Sequence, residues 1–307
     1  MEVRYPVLTE RMKGWNSAIK NAKNYLESVA NLAIANPWAE RLFRFGYAAK
    51  GVVYAIVGWL AASAAIGSGG KTIGTRGALR SLVNQPFGRI LLGFVAIGLS
   101  GYVLWRLVQA IMDTENQGTD AKAIIVRLSY AGNGLIYGGL AVTAVKIIFG
   151  EVDIDNGYGS IDWTALLLAQ PLGQWLVGTV GAVVIGLGFY EFYQAYTAKF
   201  CRKFNLNEMS DTEKTWATRI GRFGLAAKGV VYSIIGFFLI QAARQSKSKQ
   251  VRGLEGALDS LARQPYGRWL LGVVALGLIA YGVYYIVQAR YRRIHSTACR
   301  ARTIPKS

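Results

Sequence analysis

Histidine is nearly absent from this 307-residue chain; the sequence holds a single one, His295, close to its end. That scarcity excludes a histidine-ligated haem within an apolar segment and a histidine-based zinc site, because both need imidazole ligands. Cysteine is almost as rare, with Cys201 and Cys299 and no C-x-x-C spacing, which argues against a metal knuckle. Acidic residues number 17 against 35 lysines and arginines. No carboxylate pair stands inside an apolar run, as proton-coupled enzymes and pumps require. A Ser-His-Asp set and a phosphate-cradling glycine loop with its lysine are also missing, and the GSGG at 67–70 precedes no strand-helix unit. The chain is therefore expected to have no enzymatic activity, no cofactor and no metal site.

What the chain does have is long apolar runs. Hydrophobic residues make up 52% of it, and runs near the length that crosses a bilayer place six spans at 46–66, 90–112, 131–149, 174–197, 229–243 and 269–289. The fifth run is short, since its helix would rise only about 22 Å against ~30 Å of hydrocarbon. Its helix is expected to begin upstream, near Arg222, with Lys228 snorkelling toward the headgroups. No cleavable signal peptide is expected, because the first long apolar run starts more than 40 residues in, so the first span would serve as an uncleaved anchor.

Lysine and arginine set the expected orientation. The termini and the segments on their side of the spans carry 23 of them, and the three hairpin loops carry 10. The positive-inside rule then places both termini, and both cysteines, in the cytoplasm, where a disulfide is not expected. The middle loop has no base and carries Glu151, Asp153, Asp155 and Asp162. A net charge of +18 raises the question of nucleic acid. Its place beside the spans points instead to anionic lipid headgroups, which attract each base by about 1 kcal/mol. Nucleic-acid binding is not expected.

The same hairpin is written three times. RFGYAAKGVVYAIVG from Arg44 returns as RFGLAAKGVVYSIIG from Arg222, and GALRSLVNQPFGR from Gly77 returns as GALDSLARQPYGR from Gly256. The middle copy has drifted but holds register through Arg127, Gly134, Tyr137, Gln170 and Pro171. A fixed interval of 24 residues joins the glutamine of each Gln-Pro pair to a later one: Gln85 to Gln109, Gln170 to Gln194, Gln264 to Gln288. One structural unit used three times follows. Residues 1–43 form an N-terminal segment in which Trp15, Ile19, Ala22, Leu26, Val29 and Ala33 recur at helical spacing, an amphipathic interfacial helix or one that packs on another subunit, closed by Asn36 and Pro37. Repeats at 44–112, 127–197 and 222–289, a polar linker at 198–221 and a basic tail at 290–307 complete the chain. The fold class is all-α integral membrane, with six transmembrane helices as three tandem hairpins. An even number of spans per copy gives all copies one orientation and hence pseudo-threefold symmetry about the membrane normal, unlike inverted-repeat transporters.

Two sets of recurring residues carry different expectations. Small residues flank a tyrosine in each outward helix (Gly51 and Tyr54, Gly134 and Tyr137, Gly229 and Tyr232) and are read as helix-packing positions. Each Gln-Pro-x-Gly is read as a helix start with proline in the first turn. Toward the terminal side, equivalent positions hold polar residues: Lys50, Asn133 and Lys228; Arg106, Glu191 and Tyr285; Gln109, Gln194 and Gln288. Ionisable groups inside a span are functional candidates. Arg106 is near enough to a helix end to snorkel in part. Glu191 is expected to pair with Arg106 or a repeat lysine, either to fix the order of the copies or as part of a basic pocket for an anionic lipid or small anion. Lys146 is expected to snorkel at its helix end.

The strings FGYAAKGVVYAIVG and FGLAAKGVVYSIIG, followed by GALRSL…QPFGR and GALDSL…QPYGR, resemble the bacterial membrane family called Domain of Unknown Function 1206, over residues 41–290. The resemblance implies paired spans in three copies and a bacterial plasma membrane, or a thylakoid in a cyanobacterium. It implies no activity, cofactor or catalytic residue. The sequence alone thus suggests a scaffold or accessory subunit of a larger membrane complex in contact with anionic membrane lipids, with a channel or transporter for a small anion or lipid as the alternative.

Overall fold

The computed structural model describes residues 36–67, 72–111, 120–151, 172–245 and 254–292, with single positions at 21, 28 and 170. Nearly all of the expected interfacial segment before residue 36, the acids Asp153, Asp155 and Asp162, Pro171, and the tail beyond Arg292 with His295 and Cys299 lie outside the described residues. Eight α-helices occur among the described residues: α1 (Pro37–Ala65), α2 (Thr75–Val83), α3 (Gly88–Ile111), α4 (Ala121–Phe149), α5 (Gly173–Thr197), α6 (Asp211–Gln245), α7 (Leu254–Ala262) and α8 (Gly267–Tyr291). Six are long and apolar enough to cross a membrane. Their outward faces carry Leu135, Phe149, Trp175, Phe189 and Trp269, all exposed, as a lipid-facing exterior requires. The protein is an integral membrane protein of six spans.

Several helices begin elsewhere than the apolar runs suggest. Asn36 and Pro37 do not merely close the N-terminal segment; they open α1, with Pro37 in its first turn and the Asn36 side chain accepting from the Trp38 N–H at 2.9 Å. The first copy's helix thus starts ahead of Arg44. α6 starts at Asp211 rather than near Arg222, because Ser210 and Glu213 form a capping box: the Ser210 N–H donates to Glu213 at 2.8 Å and the Glu213 N–H to the Ser210 hydroxyl at 3.2 Å. Half of the segment read as a polar linker is therefore helix. The rest is two 3₁₀ turns, Lys199–Lys203 and Leu206–Glu208, that bury Phe200 and Phe204 against Tyr284 with ring centroids 5.2 and 6.0 Å apart.

The Gln-Pro-x-Gly element is a turn ahead of the helix, not its first turn. In every copy the glycine N–H donates to the glutamine carbonyl three residues back: Gly88 to Gln85 at 2.8 Å, Gly173 to Gln170 at 2.8 Å and Gly267 to Gln264 at 2.7 Å. The residue between carries a positive φ (Phe87 59°, Leu172 80°, Tyr266 61°). Proline in second place and a positive φ in third define a type II turn. Glycine is required at the fourth place, where a Cβ on Gly88 would lie 2.1 Å from the Leu82 carbonyl oxygen and one on Gly267 2.1 Å from that of Ala262.

The six long helices are neighbours in the order α4, α3, α1, α8, α6, α5. Each outward helix packs on the return helix of the preceding copy, α4 on α3, α6 on α5 and, cyclically, α1 on α8. That is the pseudo-threefold relation. Gly51 and Gly282 face each other across α1 and α8, and Gly229 and Gly188 across α6 and α5, so near that an added Cβ would meet the opposite carbonyl oxygen at 2.6–3.0 Å. Across α4 and α3 the contact is looser: a Cβ on Gly134 would meet the Arg106 Cβ at 3.6 Å, and Val103 stands where the other copies have Gly188 and Gly282. In the first and middle copies the recurring arginine that opens the copy caps the return helix beside it. Arg44 donates to the carbonyls of Ala289 at 3.1 Å, of Arg290, and of Arg292 at 3.3 Å, and Arg127 to that of Ile111 at 2.9 Å.

Within a copy, the first and third hairpins close and the middle one does not. α1 packs on α3 and α6 on α8, whereas α4 and α5 barely touch. The cause is in the sequence. Gly46 and Gly98 in the first copy, and Gly224 and Gly277 in the third, sit so near the opposing helix that a Cβ would approach its atoms to 2.2–2.5 Å. The middle copy has Ser129 and Val183 at those places, and Val183 is 57% exposed. Trp105 and Tyr284 are buried inside their hairpins, while the equivalent Tyr190 is exposed. Among the described residues the ring is open along one seam, between α4 and α5.

Candidate functional site

Lys50 projects from α1 toward the centre of the ring and is 1% exposed. Its Nζ donates to the hydroxyls of Tyr102 on α3 at 2.9 Å and Tyr285 on α8 at 3.0 Å. The same nitrogen lies 4.1, 4.2 and 4.7 Å from the ring centroids of Tyr137, Tyr285 and Tyr102. Such a cage favours the ammonium by cation–π attraction. Among the described residues no carboxylate is paired with it.

Arg106 also turns inward instead of snorkelling. Its Nε donates to the Tyr102 hydroxyl at 2.8 Å and its Nη1 to Gln109 Oε1 at 2.9 Å, and its guanidinium lies over the rings of Tyr102 and Tyr130. Lys228 does not snorkel either. With α6 starting at Asp211, this lysine stands near the middle of its helix, and its Nζ donates to Glu191 Oε1 at 2.6 Å. Glu191 therefore pairs with a repeat lysine across α5 and α6, not with Arg106. Gln288 accepts from Arg292 at 2.8 Å. Asn133, the middle copy's counterpart of the lysines, bonds back to the Ser129 carbonyl of its own helix at 2.9 Å, and Gln194 is half-buried. Lys146 is exposed near the end of α4.

The tyrosines are what sequence reasoning missed. Tyr54 and Tyr137, read as packing positions, join their hydroxyls at 3.1 Å, with Tyr137 donating. Tyr281 donates to Tyr285 at 3.1 Å, and Lys228 lies over the rings of Tyr232 and Tyr281. Tyr102 and Tyr281 were not singled out, yet they stand one helical turn before Arg106 and Tyr285 at equivalent places in two copies. Stepping four residues back from the polar set would have found them.

Hydrogen-bond accounting gives the site its character. The oxygen of Tyr102 accepts from both Lys50 and Arg106, and that of Tyr285 from both Lys50 and Tyr281. Each hydroxyl still carries its own hydrogen. Among the described residues, nothing accepts the hydrogens of Tyr102, Tyr285 or Tyr54. With Lys50 as the ammonium, the centre thus has more donors than acceptors, and among the described residues its three inward basic side chains, Lys50, Arg106 and Lys228, face one carboxylate, Glu191.

The pattern of the Domain of Unknown Function 1206 matches the chain three times, over residues 45–113, 128–198 and 223–292. The chain belongs to that family. Each match takes in one hairpin, including the drifted middle copy. An uncharacterized Bacillus subtilis (strain 168) protein, YxxB, is 37% identical over 258 residues, which covers 84% of this chain and 93% of that protein. No solved structure matches. Within this DUF1206 chain the polar centre lies among all three copies: Lys50 and Tyr102 from the first, Tyr137 and Glu191 from the second, Lys228, Tyr281 and Tyr285 from the third.

Proposed function

We propose that this is a non-enzymatic membrane protein that binds a small inorganic anion at the Lys50 centre and passes it across the bilayer. One observation carries the reading: a fully enclosed ammonium whose hydrogen-bond partners are hydroxyls that themselves have hydrogens left to donate. Uncompensated charge and unmet donors are costly at low dielectric. An anion answers both. Glu191 neutralises Lys228 and leaves Lys50 and Arg106 in excess. The test is anion efflux from liposomes containing the purified protein, with chloride and nitrate. Lys50→Met should reduce flux at least about tenfold, the factor expected for one charge-assisted hydrogen bond, and Lys50→Arg should retain part of it. Absence of flux and of anion binding in the unaltered protein would sink the proposal.

A second reading, an accessory subunit of a larger membrane complex, is favoured by the open seam between α4 and α5, which exposes residues that the other two hairpins bury. Purification in mild detergent should then bring down a stoichiometric membrane partner, and Val183→Arg in the seam should release it. Elution of the protein alone would count against this reading.

A further inference from the structure

The loop-side face of the Lys50 centre is not solid. A cavity of about 130 Å³ lies between α1, α2 and α4, lined by Tyr54, Thr75, Arg76, Ile136, Tyr137 and Leu140. Its inner wall is Tyr54 and Tyr137, whose hydroxyls are joined and which are both more than nine-tenths buried. Two hydroxyls bring two hydrogens. Tyr137 spends its own on Tyr54, so the Tyr54 hydrogen remains, and among the described residues nothing accepts it. Behind the Tyr137 ring stands the Lys50 ammonium. The opposite wall is the first turn of α2, where Gly74 as N-cap provides no side-chain hydrogen bond to the free N–H groups. Arg76, exposed, adds a guanidinium there. No carboxylate is among the lining residues; the nearest described one to the α2 N-terminus, Glu255 on α7, is exposed and packs beside Gly74.

The geometry points to a second anion site: we propose that this cavity collects a small monovalent inorganic anion, a halide or nitrate, on its way to Lys50. The inference rests on reading the Lys50 centre as an anion site. Its volume is about that of four liquid waters, which suits such an ion and leaves no room for a lipid headgroup with its chains. Each polar side chain that lines it can donate: the hydroxyls of Tyr54 and Thr75 and the Arg76 guanidinium, beside the N–H groups at the start of α2, whose dipole favours negative charge. The third copy does not build it. It has Leu254 and Glu255 where the first has Thr75 and Arg76, and a carboxylate at that place would repel the ion.

The experiment measures the half-saturating chloride concentration for efflux from liposomes containing the full chain. Tyr54→Phe removes the hydroxyl and, with it, the acceptor of the Tyr137 hydrogen; Arg76→Gln removes the charge from an exposed position; Arg89→Gln, outside the cavity on the same face, reports on surface charge in general. The first two should each raise half-saturation at least about fivefold, and Arg89→Gln should leave it within about twofold. If Tyr54→Phe and Arg76→Gln leave it unchanged while Lys50→Met abolishes flux, the cavity is not a binding site and the Lys50 reading stands. An equal shift from Arg89→Gln would also overturn the cavity, as a surface-charge effect. If the unaltered protein carries no anion, both proposals fall together.

Discussion

At the scale of single residues, the ion pair between Glu191 and Lys228 separates what is structural from what is in surplus. Both side chains are almost wholly enclosed, 14% and 9% exposed, and their atoms are 2.6 Å apart. Removing one partner of a buried pair leaves the other charge without compensation and costs about 3 kcal/mol, whereas replacing both with apolar groups is often neutral. Glu191→Gln should therefore lower unfolding stability by about 3 kcal/mol. The double variant Glu191→Leu with Lys228→Met should recover most of that, measured by denaturant unfolding in detergent. If the single variant is as stable as the unaltered protein, the pair does not hold α5 to α6. Lys50 has no such partner, so Lys50→Met is expected to be neutral or stabilising in the same assay. Glu191's need for a base was legible in the sequence, because an acid within a span must be paired. Which base was not legible, since the answer depends on each outward helix packing on the previous copy's return helix.

At the scale of elements, the hairpins differ in one kind of contact. Gly98 and Gly277 let the two helices of their copies meet, and the middle copy has Val183 at that place. Gly98→Val should force α1 and α3 apart at a cost of about 1–3 kcal/mol, the range for overfilling a close contact. Val183→Gly should remove no buried contact, because Val183 lies on the open seam; only the lower helix propensity of glycine, about 1 kcal/mol at most, would register. Thermal denaturation of both variants checks the pair, and an equal large loss from Val183→Gly would show that α4 and α5 do meet through it. The hairpins, their order and the threefold relation were readable from the repeat. Helix starts were less so: α6 begins with a capping box inside polar sequence, where hydropathy gives no signal, and Gln-Pro-x-Gly proved a type II turn because the proline sets the angle of a turn as well as that of a helix.

At the scale of the whole molecule, the charges around the ring decide which way it sits, and that direction fixes from which side the Arg76 cavity fills. With Lys50 and Lys228 set apart inside the ring, the segments on the terminal face carry 21 lysines and arginines against 10 on the hairpin loops. The bias is uneven, since the first and third loops are themselves basic and only the middle loop has none. The loops nearest the first spans weigh most in the positive-inside rule, and there the residues ahead of Lys50 carry 7 against 4 in the loop at 67–89. Both termini are therefore expected in the cytoplasm and the cavity on the far side. Fusing a reporter that is active only outside the cytoplasm to the loop at 67–89 should give activity, and the same reporter at the C-terminus should not. The reverse result would turn the molecule over without altering its fold. The cavity would then fill from the cytoplasm, so the half-saturation shift of Arg76→Gln should follow chloride on whichever side this reporter assigns to the loops.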